Sequence, residues 1–328
     1  MESKQLRIVF MGTPGFAVES LRALVENGYH VVGVITAPDK PAGRGRQLSE
    51  SAVKQYAVSA GLEVLQPEKL KNQEFLDRLA LLRADLQIVV AFRMLPEVVW
   101  NMPCLGTFNL HASLLPQYRG AAPLNWAIIN GEKETGITTF LLSHEIDTGR
   151  ILFSEPTPVY DHDTVGDLHD RLMVAGAKLV MKTVDALADG KISPVAQEKL
   201  LEGGAEIRHA PKIFREDMQI EWAKPATEVR NLIRGLSPYP AAWTTLIHKQ
   251  TATGTEVKIF YAELSGGPDK PPGTLETDGK TFLKVACGSG WLKITDLQLS
   301  GKKRMPVDEF LRGMHPKGEM GELFHFTL

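Results

Sequence analysis

The chain has 328 residues, 43% of them apolar and 23% charged. That is more than one hydrophobic core usually organises and far from the composition of disordered chains, so two domains are expected. A net charge of −2 argues against a uniformly basic nucleic-acid binder, yet residues 208–328 hold 17 Lys+Arg against 14 Asp+Glu while the remainder holds 20 against 25. A polyanion would therefore meet the C-terminal part. Cys104 and Cys287 stand far apart and outside any CxxC pattern, which suggests neither a disulfide framework nor a structural zinc. The apolar run ending at Met11 is too short for a signal segment, and no other run approaches spanning length, so no membrane partner is expected; with the cysteine pattern this suits a reducing cytoplasm, and a monomer is the accompanying expectation.

Leu6 to Met11 is an apolar run closed by Gly12-Thr13-Pro14-Gly15, and Phe16 to Val25 repeats apolar residues at helical spacing up to Asn27-Gly28. The pattern predicts a strand, a tight turn and a helix. Further strands are predicted at His30–Thr36, Glu63–Leu65 and Leu86–Ala91, with helices over Glu50–Ala60 and Asn72–Leu82. Such alternation implies a mostly parallel sheet with helices on both faces. Thr107–Leu110 reads as another strand, Thr135–Leu142 and Arg150–Phe153 as a strand pair, and Thr164–Asp189 as a long helix ended by Gly190. Residues 1–190 are thus expected as the first domain and the polar stretch 191–208, with Pro194 and Gly203-Gly204, as a linker. From residue 209 onward a helix over Thr227–Leu236 is followed by short strands near Trp243–Ile247, Val257–Leu264, Phe282–Ala286 and Trp291–Leu299, which suggests a small β-barrel.

The densest polar constellation is Asn109-Leu110-His111-Ala112-Ser113-Leu114-Leu115-Pro116 with Arg119-Gly120 beyond it, at a predicted strand end. In open α/β sheets the residues past strand C-termini line the ligand crevice. Asn109 and His111 are two apart, so on a strand both point to one face, where an amide and an imidazole can converge on one substrate oxygen; a polar pair that merely holds the loop is the competing reading. His144-Glu145-Ile146-Asp147-Thr148-Gly149 forms a turn able to bring a carboxylate to the same crevice, although Asp-Thr-Gly is also an ordinary turn sequence. Asp161-His162-Asp163 and Asp167 look metal-like at first, but they fall at a predicted helix start, where capping and the macrodipole favour acidic residues. No metal site is expected.

Together these segments resemble the folate-dependent formyltransferases, whose Asn, His and Asp form the catalytic set. The resemblance extends through Gly12-Thr13-Pro14-Gly15-Phe16-Ala17, Pro38-Asp39-Lys40-Pro41-Ala42-Gly43-Arg44-Gly45 and Ser237-Pro238-Tyr239-Pro240-Ala241-Ala242-Trp243. It implies a Rossmann-like catalytic domain followed by an OB-like barrel that binds tRNA. It also implies Asn109, His111 and Asp147 as catalytic residues, and Ser113, Leu114, Leu115 and Pro116 at the reduced folate. The donor implied is 10-formyltetrahydrofolate, with no metal, and the acceptor is methionine esterified to initiator tRNA. Arg44, in a loop with three cations between Lys40 and Arg46, would contact that tRNA, a solvated loop being the alternative. Two segments depart from the family pattern: Ala91-Phe92-Arg93 stands where Ala-Tyr-Gly is frequent, and Ser143-His144-Glu145-Ile146 where Met-Asp-x-Gly is.

Three other readings stay open at the level of sequence. A nicotinamide dehydrogenase would use the first strand, turn and helix, but Gly12-Thr13-Pro14-Gly15 lacks the G-x-G-x-x-G spacing. A non-catalytic RNA-binding module would leave Asn109, His111 and Asp147 unexplained. A formyltransferase acting on a purine-pathway or sugar-nucleotide amine would share the chemistry and differ in the acceptor.

Overall fold

The computed structural model describes residues 2–42, 47–201, 206–313 and 323–327. In chain order the first elements are β1 (Ile8–Gly12), α1 (Gly15–Glu26), β2 (Val31–Ile35), β3 (Lys40–Ala42), β4 (Gln47–Ser49), α2 (Ala52–Ser59), β5 (Val64–Leu65), α3 (Gln73–Leu81), β6 (Leu86–Val90), α4 (Glu97–Trp100), β7 (Thr107–His111) and β8 (Arg119–Gly120). There follow α5 (Pro123–Ile129), β9 (Glu134–Leu141), β10 (Ile151–Pro158), α6 (Val165–Ala188) and β11 (His209–Ala210). The chain then runs through α7 (Ala226–Leu236), β12 (Ala242–His248), β13 (Gly254–Ser265), β14 (Leu275–Thr277), β15 (Leu283–Ala286), β16 (Trp291–Leu299), β17 (Met305–Pro306), α8 (Val307–Gly313) and β18 (Phe324–Phe326). Two compact units result: residues 1–123, 134–158 and 169–209 make one, and 124–133, 159–168 and 210–328 the other.

The first unit is built on a seven-stranded sheet of order β10-β9-β7-β6-β1-β2-β5. Its five strands from β7 to β5 run parallel, while β9 and β10 are antiparallel additions beside β7. Every residue of β1 and β6 is buried, as strands covered on both faces require. Strand order reverses between β1 and β6, the place where such sheets open a crevice beyond their C-terminal ends. Gly12 ends β1 there. A Cβ on it would lie 2.6 Å from the Ala17 Cβ and 3.0 Å from the Val90 carbonyl, so its missing side chain lets the start of α1 lie against the sheet. The C-terminal part of α6 covers the antiparallel edge, where Thr183 Oγ1 pairs with Thr139 Oγ1 at 2.9 Å.

Local chemistry sets the helix starts. Ser51 caps α2 by accepting from the Lys54 amide at 3.0 Å, and Asn72 caps α3 by accepting from the Glu74 amide at 3.1 Å. Thr164 Oγ1 accepts from the Asp167 amide at 3.3 Å while the Asp167 carboxylate accepts from the Thr164 amide at 2.8 Å, the reciprocal pattern of a capping box. Asp167, in the first turn of α6, thus serves the helix start, whereas Asp163 accepts from the Tyr160 amide at 2.7 Å and Asp161 pairs with Arg230 at 3.0 Å.

In the second unit β14, β15, β16, β13, β12 and β18 follow one another as an antiparallel sheet, and β17 pairs with β16. A bridge between Thr274 and His325 brings its two ends together, giving a nearly closed barrel. Its interior holds Trp222, stacked on Phe326 with ring centroids 5.2 Å apart, and the Trp222 indole N–H donates to Thr244 Oγ1 at 3.0 Å. Among the described residues no helix is long and apolar enough to cross a membrane.

The two cysteines sit in opposite surroundings. Cys287 is buried in the barrel core, and desolvation of its thiolate pushes the thiol pKa up to about 12, whereas Cys104 is exposed. Because the thiolate is the reacting form, the native protein at pH 8 is expected to react with Ellman's reagent at Cys104 alone, Cys287 following only in denaturant. Equal, fast labelling of both thiols in the native state would contradict this burial.

Candidate active site

Strand β7 carries two of the candidate residues on one face. Its neighbours fix the register: Val89 lies opposite Asn109 on the parallel side, while Phe140 lies opposite Asn109 and Thr138 opposite His111 on the antiparallel side. His111 is 6% exposed. Its Nε2 lies 2.9 Å from the Tyr118 carbonyl, and since a carbonyl only accepts, that nitrogen carries the proton. Nδ1 is the ring nitrogen left for other chemistry. It faces Asp147, whose Oδ2 is 3.8 Å away.

Asn109, two residues back, has a buried Oδ1 with no hydrogen-bond partner. Unmet buried polar atoms are few in native proteins and collect where a ligand will meet them. Amide oxygen and nitrogen exchange by a flip of the side chain, so the site offers a hydrogen-bonding position that can be met in either sense.

Asp147 reaches His111 by an indirect path. Because β9 is antiparallel to β7, its last residues lie beside the start of β7: Leu141 is opposite Phe108, and the Leu142 amide donates to the Thr107 carbonyl at 2.8 Å. His111 is at the other end of the strand, about 10 Å away at ~3.3 Å per residue. The turn 143–150 must double back over the sheet. Asp147 does so in the left-handed region, with φ of 55°, a costly conformation for a residue with a side chain. Its Oδ2 accepts from the Gly120 amide at 2.9 Å. Gly149 completes the return, for a Cβ there would stand 1.6 Å from the Leu141 carbonyl oxygen.

The Ser113–Pro116 segment follows directly on His111. Ser113 Oγ donates to the Gln117 carbonyl at 2.6 Å, so the hydroxyl is turned inward. Thr138 Oγ1 donates to the Ser113 carbonyl at 2.7 Å and accepts from the Leu115 amide at 3.2 Å. Leu115 packs with Phe140 and Ile151, Pro116 is buried, and Leu114 is half-buried. The structure therefore holds this loop rigidly against β9 and leaves Leu114 the most accessible of the four.

Arg93, at the first departure from the family pattern, donates through Nη1 to the Glu68 carbonyl at 2.9 Å and through Nη2 to the Pro67 carbonyl. Its guanidinium is thus committed to the chain just before α3. His144, in the second departure, is exposed, 3.6 Å from Glu97 and edge-on to Trp100. Asp39 of the Pro38–Gly45 loop accepts from Lys54 and from Gln66 Nε2, and the lysine beside it holds its carboxyl below the usual range. Arg44 of the same segment lies outside the described residues.

Sequence reasoning did not single out Gln197. It is fully buried in a 3₁₀ helix over Gln197–Leu201, and it bonds to both the Asp147 turn and Arg119. Nor did it single out Thr138 or the Tyr118 carbonyl. A buried threonine in a strand and a backbone oxygen in a loop leave no local pattern to find.

Fold and site together define a formyl-transferring enzyme, and the chain belongs to the formyl transferase family. It matches the formyl transferase model over residues 6–184 and the formyl transferase C-terminal domain over residues 212–315. Among full-length relatives it is 60% identical to the methionyl-tRNA formyltransferase of Parabacteroides distasonis over 315 residues, 95% of this chain and 97% of that one. It is 58% identical to the methionyl-tRNA formyltransferase of Bacteroides fragilis over 316 residues, 96% of this chain and 97% of that one. A solved structure of WlaRD, a sugar 3N-formyl transferase in the presence of dTDP and 5-N-formyl-THF, superposes with a TM-score of 0.62 at 20% identity, covering 91% of this chain and 99% of that one.

The return of the 143–150 turn yields a stability prediction. Gly149→Ala is expected to destabilise the first unit by about 3 kcal/mol, in the upper range for forced overpacking, because backbone must move to admit the methyl group. Gly15→Ala, where a Cβ meets nothing within 4 Å, serves as the control and should change stability by less than about 1 kcal/mol, as Ala favours a helix. Denaturant unfolding followed by circular dichroism compares them, and equal midpoints for the two variants would contradict the close approach.

Proposed function

We propose that the chain transfers the formyl group of 10-formyltetrahydrofolate to the amino group of methionine on initiator tRNA. The observation that carries the chemistry is the His111 imidazole, held by Nε2 on the Tyr118 carbonyl with Nδ1 turned toward Asp147, at the end of the strand that also carries Asn109. The acceptor rests on relatives at 58–60% identity over nearly the whole chain, each a methionyl-tRNA formyltransferase.

The folate supplies an activated formyl carbon. Acyl transfer from it to an amine needs a hydrogen-bond donor where negative charge grows on the formyl oxygen, and an acceptor for the proton leaving the nitrogen. Asn109, through its amide NH₂, donates to that oxygen; one such preorganised donor is worth roughly 10²–10³ in rate. The Asn109 side chain fits this part with its amide flipped: the buried Oδ1 position has no partner within the protein, and the NH₂ group placed there donates. His111 takes the amine proton at Nδ1, or donates from there once protonated, and Asp147 stabilises the imidazolium across the 3.8 Å gap or through an intervening water. No covalent enzyme intermediate is required, and Ser113 is no nucleophile because its hydroxyl is spent on the Gln117 carbonyl.

The reduced folate lies along Ser113, Leu114, Leu115 and Pro116, with Leu114 supplying apolar contact and the Thr138 bonds keeping the loop in place. Arg44 and the basic excess of residues 209–328 serve the tRNA, the first near the acceptor end and the second along the stem. A translation substrate of this kind places the work in the cytoplasm.

The test is an acceptor comparison. Protein and 10-formyltetrahydrofolate are mixed with initiator methionyl-tRNA, elongator methionyl-tRNA or an amino-sugar nucleotide, and formylated product is followed by mass spectrometry. Formyl-methionine on initiator tRNA, formed with a kcat/KM at least about 100-fold above the other two, is expected, a difference of ~2.7 kcal/mol in transition-state binding. Faster formylation of the sugar nucleotide would replace the acceptor and keep the chemistry. No product from any acceptor would refute the proposal.

A further inference from the structure

The Asp147 carboxylate serves the proposed chemistry only if its backbone stays in an unfavourable conformation, so something must hold it there. Asp147 has φ of 55°, and nothing in the Asp147-Thr148-Gly149 sequence requires that value at the first of the three residues. The Gly120 amide fixes one carboxylate oxygen. It does not fix the peptide groups of the turn.

Gln197 does. Its Nε2 donates to the Asp147 carbonyl at 2.9 Å and to the Gly149 carbonyl at 2.8 Å, and its Oε1 accepts from Arg119 Nε at 3.1 Å and Nη2 at 2.6 Å. Two donors and two acceptor positions are all a primary amide possesses, and all four are used. The side chain is fully buried, so water does not compete for them. Two residues earlier the backbone of Val195 exchanges a pair of hydrogen bonds with Ile151, each 2.8 Å, which pins the stretch carrying Gln197 to the start of β10.

These contacts close a ring. Arg119 and Gly120 are adjacent: the Arg119 side chain holds the Gln197 oxygen, Gln197 holds the Asp147 carbonyl, and the Gly120 amide holds the Asp147 carboxylate. Asp147 is therefore gripped at its backbone and at its side chain by one dipeptide, directly in one case and through Gln197 in the other. The Arg119 bonds are charge-assisted, the stronger kind, and they set the orientation of the amide so that both N–H groups face the turn.

We propose that Gln197 is the positioning residue for Asp147, holding the carboxylate toward His111 without touching either substrate. This rests on the assignment of Asp147 to the transfer step. Gln197→Met keeps the volume and loses all four bonds. Gln197→Glu keeps the length and the acceptance from Arg119 but cannot donate to the two carbonyls, so it removes the grip on the turn alone and covers the case in which the methionine variant fails to fold.

The experiment measures kcat and both KM values for the full chain and the variants, each alone and combined with Asp147→Asn. In the native Asp147 background each Gln197 variant should lower kcat about 30-fold while both KM values stay within about 2-fold, the mark of an interaction that matters in the transition state. In the Asp147→Asn background the same substitution should lower kcat by less than about 3-fold, because residues acting through one another are non-additive. An equal loss in both backgrounds would show that Gln197 acts on the fold at large and overturns the proposal, as would a folded Gln197→Glu variant with native kcat. Failure of the underlying reading looks different: unmodified protein that forms no formyl-methionine refutes the function, and Asp147→Asn with native kcat refutes the role of Asp147.

Discussion

The site depends on one reversal of direction. Antiparallel pairing of β9 with β7 leaves the chain at the start of β7, whereas His111 stands at its end. A carboxylate supplied by the following turn reaches the imidazole only if that turn doubles back across the sheet. Gly149 permits the close pass at Leu141, Asp147 accepts a left-handed backbone, and the Gly120 amide meets the carboxylate on arrival. A parallel strand at this edge would have delivered its following loop directly to the end of β7, but with a crossover helix in place of a short connection.

The same reversal accounts for how rigid the surroundings are. Thr138, opposite His111 on β9, carries hydrogen bonds from Leu115 and to Ser113, so the loop after β7 and the strand that leads into the Asp147 turn form one piece. Tyr118 fixes the imidazole from the far side of that loop. Side chains on such supports are held in place in advance, as the transfer proposed for them requires.

Much of the scaffold was legible because burial writes itself into residue patterns. Apolar runs marked β1, β2, β6 and β7 to within about two residues, the usual uncertainty of element ends, and the apolar stripe marked α6. Spacing of two on a strand put Asn109 and His111 on one face. The antiparallel β3–β4 pair, α4 and α8 were not predicted: the first two are short, and the described part of α8 holds seven residues, too few for a periodic signal. Gln197 was illegible for a different reason. It lies in the polar stretch 191–208, where composition suggests solvent, and its value comes from carbonyls some fifty residues earlier in the chain. Polar groups that satisfy distant backbone carry no periodicity. Asp147 was singled out by motif and not by geometry, since nothing in Asp-Thr-Gly announces that its turn folds back.

The central claim is that Asn109, His111 and Asp147 perform the transfer and do not merely shape the folate pocket. Rapid-quench single turnovers with saturating 10-formyltetrahydrofolate and methionyl-tRNA, set beside folate dissociation constants from fluorescence titration, separate the two. For Asn109→Ala, His111→Ala and Asp147→Ala the account predicts a single-turnover rate at least about 100-fold below that of the unmodified protein, the scale of one lost oxyanion donor or general base, with folate affinity within about 3-fold. Native single-turnover rates in any folded variant, or losses in rate matched by equal losses in folate affinity, would contradict it.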